Sequence, residues 1–357
     1  MIYYFSGTGN AAQVAFWFSQ AAEEKNVPID IINISKTDRN HIPSPPSNTL
    51  IGFISPTHGF NFPPVMLRFI FRFPRTDNNK VFVMNTRAGM KLSKLFLPGL
   101  SGIALLLSSI VLYLKGYKVV GMRSVDLPSN WISLHPGLKT DVVISIFNHV
   151  KKVTLKFADK ILAGKKDYRA LCDLPQDILI APVSILYYLI GRFVFAKTFY
   201  ASKNCNNCGL CIKQCPVKAI RLLDKRPYWS FTCESCMHCM NVCPQRAIET
   251  AHGFIIGLFI LLNTVIQSLL YTKLLDAGIN LFTVGKSYSW LTRLLLETLI
   301  LFFSLLISYR LVHYLRKIKA FDLLIQYTSF TTYKFWRRYR PIKDLSKRKD
   351  LIPNSNN

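Results

Sequence analysis

The sequence predicts a doubly wound parallel α/β domain, then a small cysteine-rich α+β unit, then a transmembrane helical hairpin. Three observations carry this expectation. Short apolar strands alternate with helical stretches over the first 165 residues, eight of the nine cysteines fall between Cys205 and Cys243, and beyond Ala251 the chain turns strongly apolar and then strongly basic. At 357 residues, half of them hydrophobic, it is too long for one ordinary core. The expected divisions are 1–165, an apolar linker 166–200, the cysteine unit 201–251, a helix pair 252–318 and a basic tail 319–357.

The first strand, Ile2–Phe5, runs straight into "SGTGN" and a helix with apolar positions at Val14, Ala15, Phe18 and Ala22. Strand, small-residue turn and helix N-terminus bring free amides and the helix dipole to one point, a cradle for phosphate, and Ser6 and Thr8 add hydroxyls. Further strands read at Ile29–Ile34, Leu50–Ser55, Lys80–Thr86 and Lys118–Arg123, with helices near Pro63–Phe73, Gly102–Lys115 and Lys139–Ala163. Such alternation implies a parallel sheet that binds ligands at the carboxyl ends of its strands. Three loops converge there: Ser6–Ala11, Pro56–Phe62 and Asn85–Met90. No G-x-G-x-x-G fingerprint occurs, so direct oxidation of a nicotinamide is not expected.

The cysteines form two runs, Cys205-x2-Cys208-x2-Cys211-x3-Cys215-Pro216 and Cys233-x2-Cys236-x2-Cys239-x3-Cys243-Pro244, each continued by two residues and Ala-Ile. This is the spacing with which bacterial two-cluster ferredoxins hold iron–sulfur cubes. Three thiolates two residues apart wrap one corner, and the fourth, before proline, reaches the other cluster. Cluster one then takes Cys205, Cys208, Cys211 and Cys243, and cluster two takes Cys233, Cys236, Cys239 and Cys215. Zinc prefers two Cys-x2-Cys pairs to two such triplets. Gly209 is expected to let the backbone approach closely, Ile220 and Ile248 to cover the clusters, His238 to face solvent, and Cys172 to be a buried thiol. Met1 leads directly into a strand without a basic leader, which points to a reducing compartment and to metal ligation rather than disulfides.

With these residues in view a family can be named. "SGTGN" resembles the FMN phosphate loop of flavodoxins, "SPTHGFNFPP" the second flavin loop and "NTRAG" the third. A flavodoxin-like domain followed by a two-cluster ferredoxin domain resembles the EFR1 family of flavodoxin–ferredoxin fusions over residues 1 to 250. The resemblance implies that Ser6, Thr8, Gly9, Asn10 and Ala11 hold the phosphate. It puts Thr57, His58, Gly59 and Phe60 on one side of the flavin ring and Asn85, Thr86, Arg87, Ala88 and Gly89 on the other. The sequence departs from flavodoxins at Ala11, where a hydroxyl is usual, and in the third loop, which lacks the stacking aromatic; Phe60 or Phe62 is the substitute.

Beyond Ala251, one uncharged apolar stretch lies within 253–275 and a second runs from Leu294 to about Tyr314, both long enough to span a bilayer. Asn263 and Gln267 share a helix face there, and Glu297 lies across from them, as a hairpin hydrogen bond or as a proton or quinone site. The Lys- and Arg-rich tail puts both termini in the cytoplasm, at the inner membrane, by the positive-inside rule. The formal net charge of +26 is concentrated partly in this tail. Next to a membrane span it reads as attraction to anionic lipid and not as nucleic-acid binding, since no recognition module is visible. Leu97–Leu114 and Ile178–Phe195 read either as buried helix and linker or as lipid contacts.

The expected function is electron transfer at a membrane, between FMN and two [4Fe-4S] clusters and on to a redox partner protein. The alternatives are a self-sufficient flavin-dependent reductase of a small or lipid-like substrate, for which His58 and Arg87 are the candidate acid/base groups, and an iron–sulfur scaffold with an empty flavin site.

Overall fold

The computed structural model describes residues 1–93, 95–261, 264 and 289–336. Its first domain is a parallel sheet of β1 (Ile2–Tyr4), β2 (Ile31–Asn33), β3 (Leu50–Pro56), β4 (Lys80–Leu92) and β6 (Lys118–Pro128), in the order β2-β1-β3-β4-β6, with β5 (Leu95–Leu97) folding back antiparallel on the end of β4. Helices α1 (Asn10–Glu23) and α4 (Thr140–Leu162) cover one face, α2 (Pro64–Arg72) and α3 (Ala104–Leu114) the other. Strand β3, "LIGFISP", is apolar and buried on both sides because it lies between helical layers. The buried positions of α4, from Val143 through Ile146, Phe147, Val150, Thr154, Phe157 and Ala158 to Ile161, trace one helical stripe. Phe82 stacks on Phe18 at 4.4 Å and meets Phe157 edge-on. The Phe82 ring also lies over Gly52, where a Cβ would overlap it.

One expected loop is strand. Asn85–Gly89 continues β4 and pairs residue for residue with Ser124–Pro128 of β6. The backbone groups of this segment that face β6 are satisfied by the ladder, which stiffens what the sequence alone reads as a ligand loop.

The linker is helical. A short 3₁₀ turn (Arg169–Asp173) leads into α5 (Leu174–Leu186), a π-turn (Tyr187–Gly191) and α6 (Arg192–Ala196). Pro182 does not break this run; the widened turn follows it, as when a helix absorbs a missing donor. The run is not buried: Leu179 is 82% exposed, and Ile178, Ile185 and Leu189 are exposed as well. Cys172, at the outside of the 3₁₀ turn, is exposed and not the buried thiol expected. Helix α3 buries Ala104, Leu105, Ser108, Ser109 and Leu112 and exposes Ile110, Tyr113 and Leu114.

The cysteine unit consists of β7 (Phe199–Ala201) paired with β10 (Ile248–Thr250), a hairpin of β8 (Ile220–Leu223) and β9 (Arg226–Trp229), and short helices α7 (Leu210–Lys213) and α8 (His238–Val242). Its core is built on Trp229, Phe199, Ile220 and Ile248.

Beyond it come α9 (His252–Leu261), α10 (Ser289–Leu315) and α11 (Lys319–Tyr327). The expected second span lies within α10. Its C-terminal half docks on the cysteine unit by one face, through Leu305, Tyr309, Val312 and His313. The Tyr309 hydroxyl donates to the Phe199 carbonyl at 3.0 Å, His313 bonds the Leu223 carbonyl, and Arg316 donates to the Ala201 carbonyl and pairs with Asp322. These polar groups have partners in protein, so this half is a packed helix whose other face, with Phe303, Ile307, Leu311 and Tyr314, stays exposed. The start of the expected tail also folds back: Ser329 donates to the Thr250 carbonyl and Trp336 to that of Ile132. Asn263, Gln267, the Glu297 side chain, most of the first span and the tail beyond Trp336 lie outside the described residues.

Phe82→Ala should cost about 3–5 kcal/mol, the range for emptying a buried aromatic site. A lowered urea midpoint with unchanged iron per folded chain would check that the loss is confined to the sheet domain.

Candidate functional site

Each cysteine run turns around a residue in the left-handed conformation. In the first it is Gly209, with φ +71° and open space within 4 Å of the point a Cβ would occupy, so backbone conformation and not close approach calls for glycine there. Twenty-eight residues on, the equivalent position is Met237, also left-handed at φ 59°, its side chain buried and in contact with Ser133.

Two pockets result. One is lined by Cys205, Cys208, Cys211 and Cys243 together with Pro244 and Ile248. The other is lined by Cys215, Cys233, Cys236 and Cys239 together with Pro216 and Ile220. Ala219 and Ala247 donate backbone N–H groups to the sulfurs of Cys215 and Cys243 at 3.3 and 3.2 Å, one at each pocket. Burial and neighbouring thiolates push Cys211 up to about 11 and Cys233 up to about 12; Cys236 and Cys239 also rise, burial being the main cause. Thiols this buried ionise only against a positive centre, which iron supplies. Four thiols line each pocket, the number that holds a four-iron cluster.

The two pockets differ in surroundings. Cys208 is exposed, and Asn206 and Asn207 beside it face water. The loop Cys233–Cys239 instead sits on the carboxyl end of the parallel sheet. His238, expected in solvent, hydrogen-bonds the Gly7 carbonyl at 2.5 Å through Nδ1. Gly7 lies so close to the Cys236 carbonyl that a Cβ would come within 2.5 Å of its oxygen. Trp131, in the loop after β6, donates from Nε1 to the Ser235 carbonyl at 3.2 Å. Burial pushes the His58 ring, beside the Glu234 backbone, down to about 4, so it is neutral. The Glu234 carboxylate accepts from the Val65 amide at the start of α2 and pairs with Arg68; burial raises it to about 7.

Of the first-loop residues, Ser6 accepts from the Gly9 amide, Thr8 from the Asn130 side chain, and Asn10 donates to the Pro128 carbonyl; Ala11 is fully buried under the loop. Thr57 accepts from the Asn85 side chain, which also reaches Ser101. Gly59 lies under the Tyr187 ring, and the Phe60 carbonyl accepts from Ser184. Phe62 is core and unavailable for stacking. Thr86 and Gly89 are buried in β4, whereas Ala88 is exposed. Arg87 is held by Asp126 at 2.7 Å and Asp173 at 2.6 Å, which commits it to structure and removes it as an acid/base group. Two buried polar atoms at this end have no partner, His58 Nδ1 and Asn85 Oδ1. With the α1 N-terminus they suit a ligand bearing a phosphate and a ring with N–H groups.

Sequence reading missed Trp131, Tyr187, Glu234 and Lys197. Trp131 could have been found, since it follows a strand at the carboxyl edge of the sheet; Tyr187 could not, being brought there by the linker helix. Lys197 is 1% exposed, donates to the Trp229 carbonyl at 2.6 Å and lies over the rings of Phe231, Tyr309 and Tyr228 at 4.3 to 4.8 Å. Burial pushes its ammonium down to about 8, with the Cys233 thiolate acting the other way.

Residues 204–248 match the 4Fe-4S dicluster domain family, so the chain carries such a domain behind its parallel α/β domain. No curated protein matches the chain. Among solved structures, rubredoxin oxygen:oxidoreductase from Desulfovibrio gigas is similar at 12% identity, over 45% of this chain and 35% of its own, with a TM-score of 0.29. The chain therefore spans about a third of that protein. A flavodoxin from the domain Archaea aligns at 16% identity over 45% of this chain and 96% of its own, TM-score 0.28. Flavodoxin 1 from Bacillus cereus aligns at 17% over 43% and 95%, TM-score 0.28.

Lys197→Met should make the second cluster harder to reduce, by roughly 60 mV or more, tenfold in the one-electron equilibrium, because a positive charge leaves a low-dielectric site. Potentiometric titration followed by electron paramagnetic resonance reads this directly. The first cluster should move less.

Proposed function

We propose that this protein is a membrane-attached electron-transfer protein that binds FMN at the carboxyl end of its parallel sheet and two [4Fe-4S] clusters in its cysteine unit, and that serves a redox partner protein. The single observation carrying this reading is the seating of the Cys233–Cys239 loop on Gly7 and Trp131, which brings one cluster pocket against the flavin-type loops. FMN, when bound, supplies exchange between one- and two-electron chemistry, which clusters alone do not. The residues of the chain do the rest. The α1 N-terminus, Ser6, Thr8 and Gly9 would hold the phosphate, and His58 and Asn85 offer acceptors to the ring. Tyr187 and Trp131 close the site against water. The exposed pocket around Cys208 is the natural outlet to a partner.

Membrane attachment through the apolar C-terminal segments, with both termini and the basic tail on the cytoplasmic side of the inner membrane, belongs to the same proposal. Its support is the apolar sequence from 253 onward, the exposed outer face of α10 and the lysines and arginines that follow. Membership of the EFR1 family is part of it too.

Anaerobically purified full-length protein should contain about eight irons, two clusters of four, and one releasable FMN per chain. Cys215→Ser should lose about four irons with FMN retained. Iron without flavin in the unmodified protein would reduce the proposal to a ferredoxin-type carrier.

A further inference from the structure

The helical run Arg169–Ala196 is, among the described residues, the one long and apolar enough to cross a bilayer. Its 28 residues span about 42 Å at 1.5 Å per residue. Yet the run is tied to one folded body along its whole length. At its start Asp173 pairs with Arg87. At its middle Ser184 donates to the Phe60 carbonyl and the Tyr187 ring covers Gly59. At its end the Arg192 carbonyl accepts from Ser235, Phe195 packs on Trp131 at 5.2 Å, and Lys197 is sealed in the cysteine unit. A spanning helix has its ends on opposite sides of a hydrocarbon core about 30 Å thick. Both ends of this one are held by the same folded body, so it cannot span.

Its outer side nevertheless carries Ile178, Leu179, Val183, Ile185, Leu186 and Leu189, all exposed. Two further features select the occupant. Phe193 touches Phe302 of α10 at 6.0 Å, so this apolar side is continuous with the helix whose outer face exposes Phe303 and Ile307. Exposed Lys165, Lys166 and Arg169 flank its first turn, the charge that anionic headgroups attract.

We infer that the helix from Leu174 to Ala196 lies flat in the surface of an anionic bilayer, with Leu179 and Leu189 in the acyl boundary and the flavin-type loops directly beneath it. The inference rests on the membrane attachment proposed above. It turns the run from a candidate span into a float that sets the orientation of both redox units.

The test uses full-length protein with Cys172→Ser and its clusters in place, carrying Leu179→Cys or Leu189→Cys labelled with an environment-sensitive fluorophore, in vesicles of phosphatidylglycerol and phosphatidylcholine. Both leucines are exposed, so neither change empties a core, and either probe can stand for the other. The expected result is blue-shifted emission quenched by lipid brominated near the headgroup and not by aqueous iodide. Labels at Lys166→Cys and Lys203→Cys should react with an impermeant reagent from the same side. Reaction from opposite sides would overturn the inference in favour of a span. Quenching by iodide would overturn it in favour of a water-exposed helix. Protection from iodide without quenching by brominated lipid would overturn it in favour of a second copy of the chain. Failure of the protein to sediment with the vesicles would overturn the membrane reading itself, a distinct outcome.

Discussion

The contact between Gly7 and the Cys236 peptide is the constraint on which the rest of the architecture depends. A phosphate-type loop and a cluster-binding loop approach until no side chain fits between them. Everything nearby follows from that approach. His238 must reach the Gly7 carbonyl, Trp131 the Ser235 carbonyl and Glu234 the Val65 amide of α2. Met237 holds a left-handed backbone at a cost of about 1–2 kcal/mol. Full burial of its side chain offsets that cost by a similar amount. The second half of the cysteine repeat is thereby committed to the interior of the molecule, and the first half is left for the outside.

Electrostatics sharpen the same division. The second pocket lies between a carboxylate and an ammonium that are both almost wholly buried, Glu234 facing the sheet domain and Lys197 facing the aromatic cage. Glu234 has Arg68 and an amide to compensate it, whereas Lys197 has one carbonyl and three ring faces. An ammonium so placed exerts its field on the nearest thiolates with little screening. The first pocket, open at Cys208 and Asn207, has water in that role.

Much of this was legible in the sequence, for identifiable reasons. The strand and helix pattern of the first domain follows from apolar periodicity, and the cysteine unit from spacing that few other chemistries use. Contacts between segments distant in sequence were not legible. Nothing local marks Tyr187 as the neighbour of Gly59 or Lys197 as a core residue. "NTRAG" reads as a loop because glycine and asparagine favour turns, but pairing with Ser124–Pro128 overrides that preference. His238 sits at an intervening position of the cysteine run, where solvent is the ordinary expectation, and only the docked sheet domain gives it a partner. The second apolar stretch is long enough to span, yet its Tyr309 and His313, and Arg316 just beyond it, have fixed partners in protein.

The return of residues 305–336 onto the cysteine unit has a consequence for biosynthesis. Chains emerge N-terminus first and domains fold in that order. The surface of β7, β9 and β10 receives Tyr309, Arg316, Ser329 and Thr331 only after nearly the whole chain has left the ribosome. The cysteine unit is therefore complete late, with its thiols already synthesised and its cover still to come. A chain cut after Ala251 would hold the unit permanently in this uncovered state, with the backbone groups of Phe199, Ala201 and Thr250 left to water.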